Sequence, residues 1–132
     1  MKLEQQVVSL ELSKKLKELG VKKESLWWWR EYVISKGADV IAWGEDSEDD
    51  GKVKLYSAFT VAELGEMLPA KIYIDGVKYA LRFKKNRENK WYLKYWRKKS
   101  TLCDYKADTE ANARAKALIW LIENGHDFHE NA

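Results

Sequence analysis

Between Arg82 and Lys99 the chain sets nine basic residues against a single acid, Glu88, and threads Trp91, Tyr92, Tyr95 and Trp96 among them. The segment therefore carries +8 where the whole chain carries +3, so the rest is net −5. Guanidinium and ammonium groups attract phosphate and carboxylate oxygens, and aromatic rings stack on bases or hold cations over their faces. Arg82, Lys84, Trp91, Lys94, Trp96 and Arg97 combine both capacities. They are the expected ligand-binding or nucleic-acid-binding residues. A second concentration is Trp27-Trp28-Trp29. On a strand these rings point to alternate sides, and burying one is worth about 4–6 kcal/mol, from ~150–250 Å² at ~25 cal/mol/Å². The ring set left outside a core is an expected partner or dimer surface.

Other reactive types lack the company that chemistry requires. His126 and His129 stand three apart beside Asp127 and Glu130, with no second ligand cluster elsewhere, so no metal is expected. Cys103 is alone, which excludes an internal disulfide and fits a reducing compartment. Basic neighbours could lower its thiol pKa, but an isolated cysteine is more often structural. The acidic run 45–50 lacks the oxygen spacing of a calcium loop. With no nucleophilic constellation and no Gly-rich phosphate loop, the chain is expected to bind without catalysis and without a cofactor.

The elements that must position these groups follow from periodicity. Val8, Leu12, Leu16 and Leu19 repeat on a helical face, with Ser9 as N-cap, Gly20 as the left-handed closing residue and Val21 packing back on Leu16. Leu26–Ile34 and Val40–Trp43 read as strands around a turn at 35–39, and Lys52–Tyr56 as a third strand of open pairing. Thr60 and Glu63 form a capping box for a short helix ended by Pro69, in which Gly65 implies close packing. Lys71–Ile74, Asp75-Gly76 and Val77–Lys84 form a hairpin on a type I′ turn. After a turn at 86–89, Trp91–Arg97 completes a meander in which Tyr79, Leu81 and Phe83 oppose Lys78, Arg82 and Lys84. A final helix runs from about Thr109 to Glu123, with Ala111, Ala115, Leu118 and Ile122 in one stripe.

The expected fold is thus α+β: a single domain over 1–132, with a frayed tail from 126. One antiparallel sheet of five to six strands is packed by N-terminal, short central and C-terminal helices, in the order α-β-β-(β)-α-β-β-β-α. At 132 residues, with 34% charged and 45% hydrophobic residues, the composition is that of a globular chain. Its longest apolar run, 117–122, is far short of the ~20 residues that span a bilayer, and no apolar signal core opens the chain, so neither membrane nor export is expected.

Three stretches carry a resemblance: Val7–Val21, Tyr56–Pro69 and Ala107–Gly125. In this order and at these distances they resemble a group of small phage and prophage proteins carried as hypothetical, while the middle strands look divergent. The resemblance implies a mobile-element gene acting in the cytoplasm of a bacterial host, and implies no activity. Leu12–Leu26 also resembles the start of excisionase-type or MerR-type winged helices, but departs where a second helix should stand. The expectation is a phage accessory protein that binds a host protein or an anionic small molecule. The alternative is a nucleic-acid-binding regulator working through the basic aromatic hairpin 78–99, and a homodimer through 27–29 is a further expected mode of association.

Overall fold

The computed structural model describes residues 2–42 and 52–129. The acidic run 45–50, Trp43 and Glu130 lie outside the described residues. Helix α1 (Leu3–Gln6) leads through Val7 and Val8 into α2 (Leu10–Glu18). Strands β1 (Trp27–Tyr32), β2 (Ala38–Ala42) and β3 (Val53–Ser57) follow, then α3 (Val61–Met67). Strands β4 (Lys71–Ile74), β5 (Val77–Lys85), β6 (Trp91–Arg97) and β7 (Ser100–Ala107) precede α4 (Glu110–Glu123).

The class is α+β, but the strands divide into two antiparallel sheets, ordered β2-β1-β3 and β4-β5-β6-β7. This corrects the expectation of one sheet of five to six strands packed by three helices, α1 being the unexpected fourth. The extra strand is β7, which pairs with β6 through a two-residue turn in which Lys99 adopts φ +63°. No Gly, Asn or Asp marks that turn, so the usual hairpin signal is missing from the sequence. The Asp75-Gly76 turn carries positive φ at both positions, 50° and 79°, as type I′ requires. Strand β3 finds its place beside β1, with Trp29 opposite Tyr56. After α2 the chain runs without a second helix into β1, so the winged-helix likeness ends there.

Local chemistry fixes the helix ends. Ser9 Oγ accepts from Leu12 N at 3.3 Å. At the other end of α2, Gly20 at φ +91° lets Val21 N reach Leu16 O (3.1 Å) and Gly20 N reach Lys17 O (3.0 Å), a Schellman closure. Helix α4 ends the same way, with His126 N on Leu121 O and Gly125 N on Ile122 O. The stretch from 126, expected to fray, is tied down as far as His129: the His126 ring stacks on Trp120 at 5.2 Å, and His129 N donates to Met67 O at 2.9 Å.

α4 packs across β6 and β7, and α2 and α3 pack against α4. Ala111, Ala113, Ala115 and Ala117 are all buried beside Leu118 and Leu121, so the buried face is wider than the expected stripe. Small side chains let neighbouring backbones approach closely. Arg114 follows the same logic. A Cβ on Gly65 would stand 3.2 Å from its guanidinium, which explains the glycine inside α3. A smaller cluster of Val7, Trp29 and Ala58 fills the inner side of the first sheet.

The two halves meet at Glu63. Its Oε1 accepts from Thr60 N (2.9 Å), completing the capping box, and from Ser25 Oγ (2.8 Å); its Oε2 accepts from Leu26 N (3.3 Å). Ser25 is 2% exposed, and its Oγ also accepts from Trp27 N at 3.0 Å. Glu63→Ala leaves the Thr60 and Leu26 amides without their acceptor, while the Ser25 hydroxyl keeps Ala58 O, and we expect a loss of about 2 kcal/mol in the denaturant midpoint analysis. A second test concerns β1 and β2, where the Arg30 guanidinium donates to both carboxylate oxygens of Asp39 at 2.9 and 2.7 Å and holds its pKa below the ordinary 3.8. A depressed native pKa means stability that is full above 3.8 and lost as pH falls through the native value. Asp39→Asn should therefore lower Tm at neutral pH, with the gap closing in acid.

Candidate functional site

β5 and β6 sort the basic hairpin into two faces. Leu81 pairs with Tyr95 and Phe83 with Leu93, and these share the side facing α4. Leu93 and Tyr95 are fully buried, and Tyr95 Oη donates to Pro69 O at 2.8 Å. Desolvation there pushes the Tyr95 phenol far above its ordinary pKa. The opposite side carries Arg82 opposite Lys94, Lys84 opposite Tyr92, and Ala80 opposite Trp96. The rows continue into β7, where Asp104 faces Lys94 and Lys106 faces Tyr92, and into β4, where Lys71 faces Ala80 and Tyr73 faces Lys78.

Four of the six expected binding residues, Arg82, Lys84, Lys94 and Trp96, thus converge on this open face. Trp91 does not. It lies on the α4 side, packed against the core with Lys85 over its ring at 5.4 Å. Arg97 is exposed at the end of β6, on the side of Tyr95 rather than of Trp96. The sequence reading set Lys78 on the face of Arg82 and Lys84 without naming it a binding residue, and missed Lys71, Tyr73, Tyr92 and Lys106 as members of the face. Lys78 and Tyr92 were legible from strand alternation, whereas Lys106 needed β7, which gave no turn signal.

The Arg82 guanidinium lies 3.8 Å from the Trp96 ring centroid, and Lys106 Nζ stands 6.0 Å above Tyr92. Lines of like charge directly opposite each other destabilise a sheet. Arg82 and Lys94 are such a pair, and among the described residues neither they nor Lys84 forms an ion pair. A hollow of about 580 Å³ opens here, lined by Arg82, Phe83, Lys84, Asn86, Tyr92, Lys94 and Asp104. Asn86 fixes its rim, since its Oδ1 accepts from Glu88 N (3.0 Å) and Lys90 N (2.9 Å) and its Nδ2 donates to the Tyr92 hydroxyl (3.2 Å). The face presents donors and rings with one carboxylate, which suits an anion that carries planar groups.

The tryptophan run divides differently from the expected partner surface. Trp29 is 9% exposed and its Nε1 donates to Val8 O at 2.7 Å, so it is interior. Trp27 packs on the same small cluster. Trp28 points to the other side of β1 and is partly exposed.

Among the described residues no group of three or more His, Cys, Asp or Glu converges on a point that could hold a metal ion. Among the described residues no helix is long and apolar enough to cross a membrane. Comparison with protein-family models, curated proteins and solved structures gives no match. Cys103 is buried under the sheet, and desolvation pushes its thiol up to about 11, against the lowering suggested by its basic neighbours. We expect it to resist a disulfide-exchange reagent in the native protein at pH 7.5 and to react at once in denaturant. Rapid native labelling would contradict this placement.

Proposed function

We propose that the protein binds single-stranded nucleic acid on the open face of the four-stranded sheet, without catalysis. The carrying observation is the distribution of charge. Lys71, Lys78, Arg82, Lys84, Lys94 and Lys106 come from all four strands, β4 to β7, against Asp104 alone among the acids named on that side. Four strands at ~4.8 Å spacing make a face about 14 Å across. That extent exceeds the hollow at Arg82 and Lys94, and matches a chain of phosphates better than one small anion. Trp96 with Arg82 stacked on it, Tyr92 and Tyr73 offer planes for bases, and a guanidinium plane stacks a base as a ring does. A single small anion, the other reading that the charge supports, would occupy the hollow alone.

The stretches that resemble phage and prophage proteins build α2, α3 and α4 with the loops that flank them, whereas the divergent strands build this face. This supports a reading in which a shared helical support carries an individual recognition surface, in a mobile-element protein acting inside a bacterial host.

Fluorescence anisotropy with labelled 15-nucleotide single-stranded DNA and RNA tests the proposal. Four to five phosphate contacts at ~0.7 each give a log affinity against log salt slope of about −3. The double substitution Arg82→Glu/Lys94→Glu should weaken binding by more than tenfold. Trp96→Ala should weaken it severalfold, while Trp91→Ala, on the other side of the sheet, should not. Absent or salt-insensitive binding would sink the proposal. Equal affinity for a mononucleotide and the 15-mer would assign the face to a small anion instead.

A further inference from the structure

The hollow on the open face of the four-stranded sheet holds one acid among its cations. Asp104 stands mid-strand in β7, directly opposite Lys94 of β6, which in turn stands opposite Arg82 of β5. All three line the hollow, and Asp104 is exposed. Opposite charges facing each other across a ladder attract, and other aspartates here show it. Asp39 accepts from Arg30 at 2.9 and 2.7 Å, and Asp108 pairs with Lys90. Among the described residues the Asp104 carboxylate forms neither an ion pair nor a hydrogen bond. Both of its oxygens are therefore open acceptors in a face otherwise made of donors.

The row Arg82, Lys94, Asp104 reads donor, donor, acceptor, at steps of about 5 Å across the sheet. A carboxylate accepts best from two N–H groups that lie side by side. Of the common bases guanine alone offers that pair, N1–H and the 2-amino group, and its O6 beside them is an acceptor suited to an ammonium. Adenine and cytosine set one amino group next to a bare ring nitrogen, whose lone pair repels a carboxylate. Uracil and thymine set one N–H between two carbonyls. Tyr92 supplies the plane. It is the diagonal neighbour of Asp104, about 7–8 Å away, a separation that a base lying on the phenol ring can bridge with its edge. The Tyr92 hydroxyl is held by Asn86 Nδ2 at 3.2 Å, so the ring is placed before any base arrives.

We propose that this hollow receives one base of the bound strand and selects guanine. Asp104 accepts from N1–H and the 2-amino group, Lys94 donates to O6, and the base stacks on Tyr92 while the remaining cations hold phosphates. The inference rests on the nucleic-acid reading of the same face and adds a base preference, which phosphate contacts by themselves do not produce.

The test is competition by unlabelled pentamers against a fluorescein-labelled 15-nucleotide oligothymidylate bound to the full chain. The pentamers are d(TTTTT), d(TTATT), d(TTGTT) and a fourth with hypoxanthine at the centre, which keeps N1–H and O6 but lacks the 2-amino group. The guanine strand should compete about fivefold better than d(TTTTT) or more, the lower end of what a bidentate base contact contributes, with the hypoxanthine strand in between. Asp104→Ala should bring all four within about twofold of one another and leave d(TTTTT) bound as tightly or more so, because the face loses its negative charge. Aspartate is itself depleted in strands, so alanine at this exposed position should fold, and the hypoxanthine comparison needs no variant. Equal competition by all four pentamers overturns the proposal, as does a guanine preference that survives Asp104→Ala. Free GMP competing as well as d(TTGTT) also overturns it, since the site then takes a nucleotide rather than a base of a strand. Failure of the labelled strand to bind removes the nucleic-acid reading and this site together, whereas binding without preference removes this site alone.

Discussion

The Glu63 carboxylate ties the start of the first sheet to the helix that leads into the second. Glu63 begins as a local device, the third residue of a capping box whose partner is Thr60 three positions earlier. The same oxygen that closes the box also accepts from Ser25, and the second oxygen takes the amide of Leu26. The helix leading to the four-stranded sheet is thereby held to the first residues of the strand at the centre of the three-stranded one. Because Ser25 is buried and its one hydroxyl proton is shared between Glu63 Oε1 and Ala58 O (3.1 Å), the start of β1, the end of β3 and the head of α3 are fixed together. The ionised acceptor makes each of these bonds stronger than a neutral counterpart and fixes their direction.

From that joint the functional face follows by exclusion. Helix α4 covers one side of the larger sheet, and its run of buried alanines lets it lie against β6 and β7 with α2 and α3 behind it. The apolar side chains of β5 and β6 turn that way. Their alternates, Arg82, Lys84, Lys94 and Trp96, turn outward. The surplus of cations is concentrated where the sheet has no helix to lose it against. The aromatic surplus splits by the same geometry: Tyr95 and Trp29 are core, Trp96 and Tyr92 are surface, and Trp28 stands between, with its ring partly wet and its N–H dry.

What could be read from the sequence was local. The Ser9 cap, the Gly20 closure, the Thr60–Glu63 box, the Asp75-Gly76 turn and the alternation of β5 each depend on residues within a few positions of one another, and each stands as read. Strand β7 was not legible, because its turn uses Lys98-Lys99, residues with no preference for positive φ. The division into two sheets was also hidden, since nothing in a strand's composition says which strand it joins. For the candidate site, alternation within β5 assigned Arg82 and Lys84, but the same rule was not carried across the turn, and Trp91 was grouped with Trp96 although they fall on opposite sides. The anchoring of 126–129 depended on Trp120 and Met67, one a helix turn away and one in another helix.

The sequence by itself determined the α+β class, the helix ends, the central hairpin and the presence of a cationic, ring-bearing segment, because short-range sterics and hydrogen bonding decide those. Only the tertiary structure decided which rings are core and which are surface, and that cations from four strands share one face. Those outcomes depend on pairing and packing between segments distant in the chain, and no local preference encodes them.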